Sequence, residues 1–285
     1  MTDTEVFYIQ KINLALDFIE ENFEKKITTS ELAKISAFSE FHFHRIFKVI
    51  IGETVNQYVK RLKMTKSKRT LQLDTKPITQ IAMDYGYNSS ANFARDYKQY
   101  FKESASQQRQ HKSREVSNLE APYNLNLKQV GFIEYPSISV IYKRVLTGYN
   151  PIEINKAFQE LLAWIYKNKL DFKDLRSYGI GYDDPDYIES EKCRYDACIS
   201  LKKDIPVNTD PFNSKTIYPG QCMVFLFEGK GEDFGKAWDY VFKTAVHTKG
   251  YRPGDKPHFE EYLFSEHYEE GIFRVNLCLP VLSIT

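Results

Sequence analysis

No run of about eighteen uncharged apolar residues occurs in the chain, so no membrane-spanning helix and no membrane partner are expected. The opening residues, MTDTEVFYIQKI, lack the basic-then-apolar form of a secretory leader. Cysteine is scarce: Cys193, Cys198, Cys222 and Cys278 are all there is, and no two stand in C-x-x-C spacing. A zinc ribbon or a thioredoxin-type centre is thereby excluded, and reduced thiols of a cytoplasmic protein are expected. There is no G-x-S-x-G, no P-loop and no G-x-G-x-x-G. His247, His258 and His267 keep no metal-ligand spacing with cysteine or acids. Asp183-Asp184-Pro185-Asp186 lacks the loop ligands of an EF-hand and reads as a turn. These absences predict no cofactor, no metal and no catalytic constellation.

Net charge is also nearly absent, with 39 Lys and Arg against 38 Asp and Glu. The balance conceals a division. Residues 1–115 hold 19 basic and 14 acidic residues, leaving 20 and 24 for residues 116–285. A basic half points to an anionic partner for that half. The 285 residues allow two ordinary domains, and a hydrophobic fraction of 42% suffices for their cores. The polar stretch SREVSNLEAPYNLN marks the join.

The first half reads as helices. Ile9, Ile12, Leu16, Ile19 and Phe23 recur at three- and four-residue spacing, the buried stripe of an amphipathic helix. Thr28-Thr29-Ser30-Glu31 has the form of a capping box. Leu32, Ala33 and Ile35 give the next helix its apolar face, and Ser39 can cap a third after a turn at Ala37-Phe38. On that third helix Phe43, Ile46, Phe47 and Ile50 form a core stripe, while Phe41, His44, Arg45 and Lys48 share another face. An aromatic, an imidazole and two cations suit a helix in a DNA major groove, where side chains reach base edges and phosphates; a solvated polar face is the alternative.

The pattern then repeats. Leu32-Ala33 matches Ile81-Ala82, Ala37-Phe38-Ser39 matches Gly86-Tyr87-Asn88-Ser89 with one residue inserted, and Phe43-x-Arg45-x-Phe47-Lys48 matches Phe93-x-Arg95-x-Tyr97-Lys98. Each copy is a helix-turn-helix. In the second, Phe93, Tyr97 and Phe101 face a core, and Ala91, Asn92, Arg95 and Lys98 face outward. Between the copies Thr54–Leu73 reads as one helix with Val55, Tyr58, Val59 and Leu62 inward, and Lys60, Arg61, Lys63, Lys66, Lys68 and Arg69 around the rest. It would span about 30 Å, against about 34 Å for one turn of B-DNA. Such a rod could hold two probes in successive grooves with Lys63 and its neighbours near phosphate.

This doubled arrangement resembles the AraC-type DNA-binding domain over roughly residues 5–112. The resemblance implies two helix-turn-helix units binding double-stranded DNA as one module. Its base contacts fall on Phe41, His44 and Arg45 in the first reading helix and on Ser90, Ala91, Asn92 and Arg95 in the second. Two departures stand out: Ala37 where the first turn usually has glycine, and Lys102–Arg109 in place of the usual Gly-x-x-Pro-x-x-Tyr-Arg ending.

The second half mixes strands and helices. Val130–Ile133, Ile138–Arg144, Tyr195–Leu201, Lys215–Tyr218, Met223–Glu228, Phe259–Leu263 and Phe273–Leu279 read as strands. Ile152–Lys167 and Phe234–Thr248 read as helices. The order recurs as a duplicated β-α-β-β unit, with Trp164 and Trp238 at comparable points and a ligand cleft expected between the copies. Gly148-Tyr149-Asn150-Pro151, the Gly181–Pro185 turn, Arg194–Cys198, Pro219-Gly220 and Pro257-His-Phe-Glu260-Glu261-Tyr262 resemble the GyrI-like effector-binding domain over about residues 126–285. That resemblance implies a small, often cationic or aromatic ligand, with Glu260 as its charge partner and Tyr149, Trp164, Trp238 and Tyr262 as further pocket residues. A carboxylate among aromatic rings attracts an organic cation through charge and cation–π attraction.

The expected protein is therefore multidomain. Residues 1–112 form an all-α DNA-binding domain with two helix-turn-helix motifs joined by a linker helix; 113–125 link it to an α+β domain of duplicated units, 126–285. This is the Rob-type order of an AraC-type transcription regulator, in which a small-molecule effector shifts DNA affinity or contact with RNA polymerase. Two alternatives stay open: a GyrI-like hydrolase with Glu260 as base and Tyr262 as helper, and a drug-sequestering binder with an idle DNA domain.

Overall fold

The computed structural model describes residues 2–73, 76–115, 125–171, 175–201, 209–254 and 256–284. Its contacts divide the chain into two units, Met1–Ser117 and Asn118–Thr285. The expected linker, 113–125, lies largely outside the described residues.

The described part of the first unit consists of α-helices whose starts and stops are written locally. α1 (Asp3–Asn22) buries Ile12, Leu16 and Ile19. α2 (Thr29–Ile35) opens on the expected box: Thr28 Oγ1 accepts from Glu31 N at 3.2 Å, and the Glu31 carboxylate accepts from Thr28 N at 2.8 Å. α3 (Glu40–Ile51) is capped by Ser39, buries Phe43 and Phe47, and ends at Gly52 in the left-handed region. α4 (Val55–Leu73) opens on a Thr54–Gln57 box. α5 (Ile78–Asp84) and α6 (Ser90–Phe101) repeat the α2–α3 motif, with Ser89 as cap and Phe93 and Tyr97 buried. α7 (Ala105–Glu115) follows a Ser104–Gln107 box.

The repetition reaches the turns. Phe38 N donates to Ala33 O at 2.9 Å, and Tyr87 N donates to Ala82 O at 3.0 Å. Ala37 (φ 56°) and Gly86 (φ 72°) take the same left-handed conformation. For alanine this costs about 1–2 kcal/mol. At position 86 glycine is obligatory, since a Cβ would lie 2.0 Å from Glu24 O. The unusual ending at Lys102 is accommodated likewise: Lys102 (φ 61°) closes α6 as Gly52 closes α3, and Ser104 supplies the cap of the last helix.

α4 corrects the expectation of a rod with one apolar stripe. It touches α3, α5, α6 and α7, and Met64, Ser67 and Leu71 are buried with Val55, Tyr58 and Leu62. With so much of the helix packed, its cations are half-buried and pair with acids of adjoining helices and turns. Lys60 meets Asp96 at 3.0 Å, Arg61 meets Glu53 at 2.6 Å, Lys66 meets Glu20 at 2.5 Å and Lys68 meets Glu103 at 3.6 Å.

The second unit is built of β1 (Asn126–Tyr135), β2 (Ile138–Val145), α8 (Pro151–Lys167), β3 (Ser177–Gly181), β4 (Tyr195–Ser200), β5 (Asn213–Ile217), β6 (Gly220–Lys230), α9 (Phe234–His247), β7 (Tyr251–Pro253), β8 (Phe259–Leu263) and β9 (Ile272–Ser283). The sheet order is β1-β6-β9-β8-β3-β4-β2-β5, antiparallel throughout, with β7 on β9. The duplication is thus real: β2-α8-β3-β4 and β6-α9-β8-β9 are mirrored about the β3–β8 pair. The leading strands are exchanged, β1 pairing with β6 and β5 with β2. The register runs on from Tyr135↔Gly220 to Ile138↔Ile217. β1-β2 and β5-β6 are therefore one bent ribbon that ties the two ends of the sheet together.

One sheet face packs under the helices, with Ile141, Ala197 and Ile199 below α8 and Phe225, Val275 and Leu277 below α9. The other buries Tyr142, Tyr178, Cys198, Val224, Phe259 and Cys278 in a common core. Asp183 belongs to this framework. Its carboxylate is buried and accepts from Arg194 N, Nε and Nη2 at 2.9, 2.6 and 2.8 Å.

Candidate functional site

α3 and α6 turn to solvent the faces that the sequence places outward. Phe41 is 75% exposed, and His44, Arg45 and Lys48 are exposed beside it on α3. On α6, Ala91, Asn92, Arg95 and Lys98 are exposed and Ser90 is half-buried. Neither arginine is loose. The Arg45 guanidinium lies over the Phe41 ring, 5.8 Å from its centroid. Arg95 Nη2 donates to Asn92 Oδ1 at 3.2 Å. Asn92 is itself anchored in the first turn, its backbone N donating to Ser89 Oγ at 3.2 Å. Lys63 is different. It is half-buried on α4 with its ammonium over the Tyr87 ring, 5.8 Å from the centroid, and burial lowers its pKa. Lys63 thus packs between α4 and the second turn, where the sequence places it outward.

In the second unit the geometry converges on Glu260. β8 alternates, so Phe259 and Glu261 enter the inner core while Glu260 and Tyr262 face the helices. Glu260 Oε2 accepts from Tyr195 Oη at 2.7 Å and from Tyr262 Oη at 2.9 Å, and Oε1 accepts from Trp238 Nε1 at 3.1 Å. Burial raises the Glu260 pKa, and the three donors pull it part of the way back. Every partner is neutral, and no cation meets this carboxylate among the described residues.

Around it stand rings. Phe158 of α8 packs edge-on to Tyr262, with centroids 5.5 Å apart. His258 lies 4.3 Å from Trp238, centroid to centroid. Tyr149 packs edge-on to Tyr195 at 6.2 Å, and its hydroxyl bonds the Asp183 backbone, so it borders the site without touching Glu260. Trp164 takes no part in the Glu260 hydrogen bonds: its Nε1 donates to Asp210 O at 2.8 Å and its ring meets Phe212 edge-on. The α8 residue that corresponds to Trp238 is Phe158, because Ala157, Leu161 and Ile165 of α8 match Ala237, Val241 and Ala245 of α9 in burial and spacing.

Sequence reasoning missed Tyr195, Phe158 and Gly179. Gly179 pairs directly with Glu260 across the internal symmetry. Tyr178 pairs with Cys198 as Phe259 pairs with Cys278, so Gly179 and Glu260 are the equivalent residues of the two copies. A Cβ at 179 would lie 1.8 Å from Tyr195 Oη and 2.6 Å from Glu260 Oε2. One copy supplies the carboxylate, and the other leaves its place empty to admit it.

A family model described as a GyrI-like small molecule binding domain matches residues 128–282, and a helix-turn-helix domain model matches residues 32–111. The chain belongs to the GyrI-like family. A DNA gyrase inhibitor of Escherichia fergusonii is 26% identical over 147 residues, 49% of this chain and 93% of that protein. The multiple antibiotic resistance protein MarA of Salmonella typhimurium is 33% identical over 90 residues, 32% of this chain and 71% of that protein. The Transposon Tn10 TetD protein of Escherichia coli is 30% identical over 110 residues, 39% of this chain and 80% of that protein. This GyrI-like protein thus carries an AraC-type DNA-binding domain at its N-terminus, the Rob-type order, and is a DNA-binding transcription regulator with a small-molecule-binding domain. No helix of the described residues is long and apolar enough to cross a membrane.

Proposed function

We propose that the regulator reads double-stranded DNA with Phe41, His44, Arg45, Ser90, Ala91, Asn92 and Arg95, while Lys48 and Lys98 meet phosphate. We propose further that an organic cation bound at Glu260, among Tyr195, Trp238 and Tyr262, is its effector. The observation that carries the second reading is a contrast. Asp183, Asp196 and Glu261 are buried and each faces an arginine, whereas Glu260 is buried among neutral donors. A desolvated carboxylate facing rings holds back free energy that a cation recovers. The ligand then shifts DNA affinity, or contact with RNA polymerase, by binding two states unequally. The protein works by binding rather than turnover, in the cytoplasm with the chromosome.

Two measurements test this. Arg45→Ala and Arg95→Ala should each cost about 1–3 kcal/mol of specific DNA binding; unchanged binding would remove the groove assignment. Glu260→Gln should weaken benzyltrimethylammonium much more than its uncharged isostere neopentylbenzene. Equal losses would point to packing, and product formation from a bound ester would favour the hydrolase.

A further inference from the structure

The two reading arginines are supported by different means, and the difference bears on which bases the second helix reads. In α3 a ring carries Arg45, so all five guanidinium N–H groups stay available. In α6 the support is the Asn92 amide, whose Oδ1 accepts from Arg95 Nη2. An asparagine in a reading helix ordinarily recognises adenine, accepting from N6–H with Oδ1 while Nδ2 donates to N7. In this protein the same oxygen is engaged by Arg95. The two uses compete for the orientation of one short amide, whose backbone is held at the first turn of α6 by the Ser89 cap.

We propose that Asn92 is a positioning residue, holding Arg95 for a guanine rather than reading an adenine itself. The inference rests on the DNA-reading role proposed for Arg95. Arginine fits the O6 and N7 acceptors of guanine in a bidentate contact. A guanidinium already steadied by a neighbour loses less freedom when it makes that contact. Position 92 then tunes how sharply guanine is preferred, and contributes no adenine preference of its own. α3 differs because Phe41, one turn before Arg45, adds a ring that can also meet a thymine methyl.

The test is selection of duplexes from a randomised pool by the full chain and by three variants. The wild type should enrich a guanine that Arg95→Ala no longer selects. Asn92→Ala should lower the preference at that same base pair by about tenfold and relax no adenine position. Asn92→Asp, which keeps an acceptor for Arg95, should retain the guanine. Relaxation of an adenine position by Asn92→Ala, with the guanine untouched, would show that Asn92 reads a base and overturn the proposal. Equal damage by Asn92→Asp and Asn92→Ala would overturn it as well. If Arg95→Ala changes no base preference, the reading role of Arg95 fails first, and Asn92 has nothing to position.

Discussion

Among the described residues, Asp183, Asp196, Glu260 and Glu261 are the buried acids of the second unit. Burial would push the Asp196 carboxyl up, but Arg144 and Lys215 hold it well below the usual range. Glu260 goes the other way, its pKa raised by burial. A carboxyl with a raised folded pKa contributes stability at pH below its unfolded value and loses that contribution as pH climbs through the folded one. Glu260→Gln should therefore gain thermal stability over the wild type as pH rises from about 4.5. Bound benzyltrimethylammonium should narrow the gap, because only the charged carboxylate benefits from it; melting curves at a series of pH values measure both effects. Gly179→Ala, on the facing strand, should cost about 1–3 kcal/mol by overpacking and abolish cation binding, since Tyr195 and Glu260 lie within 3 Å of the new methyl. Calorimetry with the same cation checks this. Glu260 and Tyr262 were legible in the sequence as parts of one short motif. Tyr195 and Gly179 were not, because they meet Glu260 only through strand register, which no local pattern encodes.

At the scale of elements, caps carried the information. The Thr28 box and the Ser39 cap stand where the sequence puts them because a few adjacent residues decide each. β3 was overlooked. Ser177–Gly181 contains two glycines in five residues, so its strand signal is diluted by the requirement for bare backbone beside Glu260. α4 was legible as a helix, but the role of its cations was not. A lysine on a helix wheel looks the same whether it faces phosphate or a glutamate from another helix. Lys66→Ala should lower the stability of the first unit by about 2 kcal/mol, because its ion pair with the mostly buried Glu20 side chain is then lost. It should leave the salt dependence of DNA binding unchanged. A shallower salt slope, by about one, would return Lys66 to the phosphate-contacting set.

The charge division read from the sequence sets a basic DNA-binding half against an acidic small-molecule-binding half. The duplication of each half was legible, but the exchange of leading strands in the second was not, because a strand carries no mark of its partner. That exchange has a measurable result. A chain ending at Leu201 has β1 without β6 and β3 without β8. It should keep the helical first unit and show no cooperative melting of the second, as followed by near-ultraviolet circular dichroism.

The bent ribbon also sets a timetable. Its two strands are separated by α8, β3 and β4, and β1 finds its mate only after Lys230 has been made. During synthesis, which runs at about 5–20 residues per second with N-terminal domains folding first, the helical unit is complete while the sheet still waits for its second half. The regulator is thus born with its hold on DNA ready several seconds before the part that answers to a ligand.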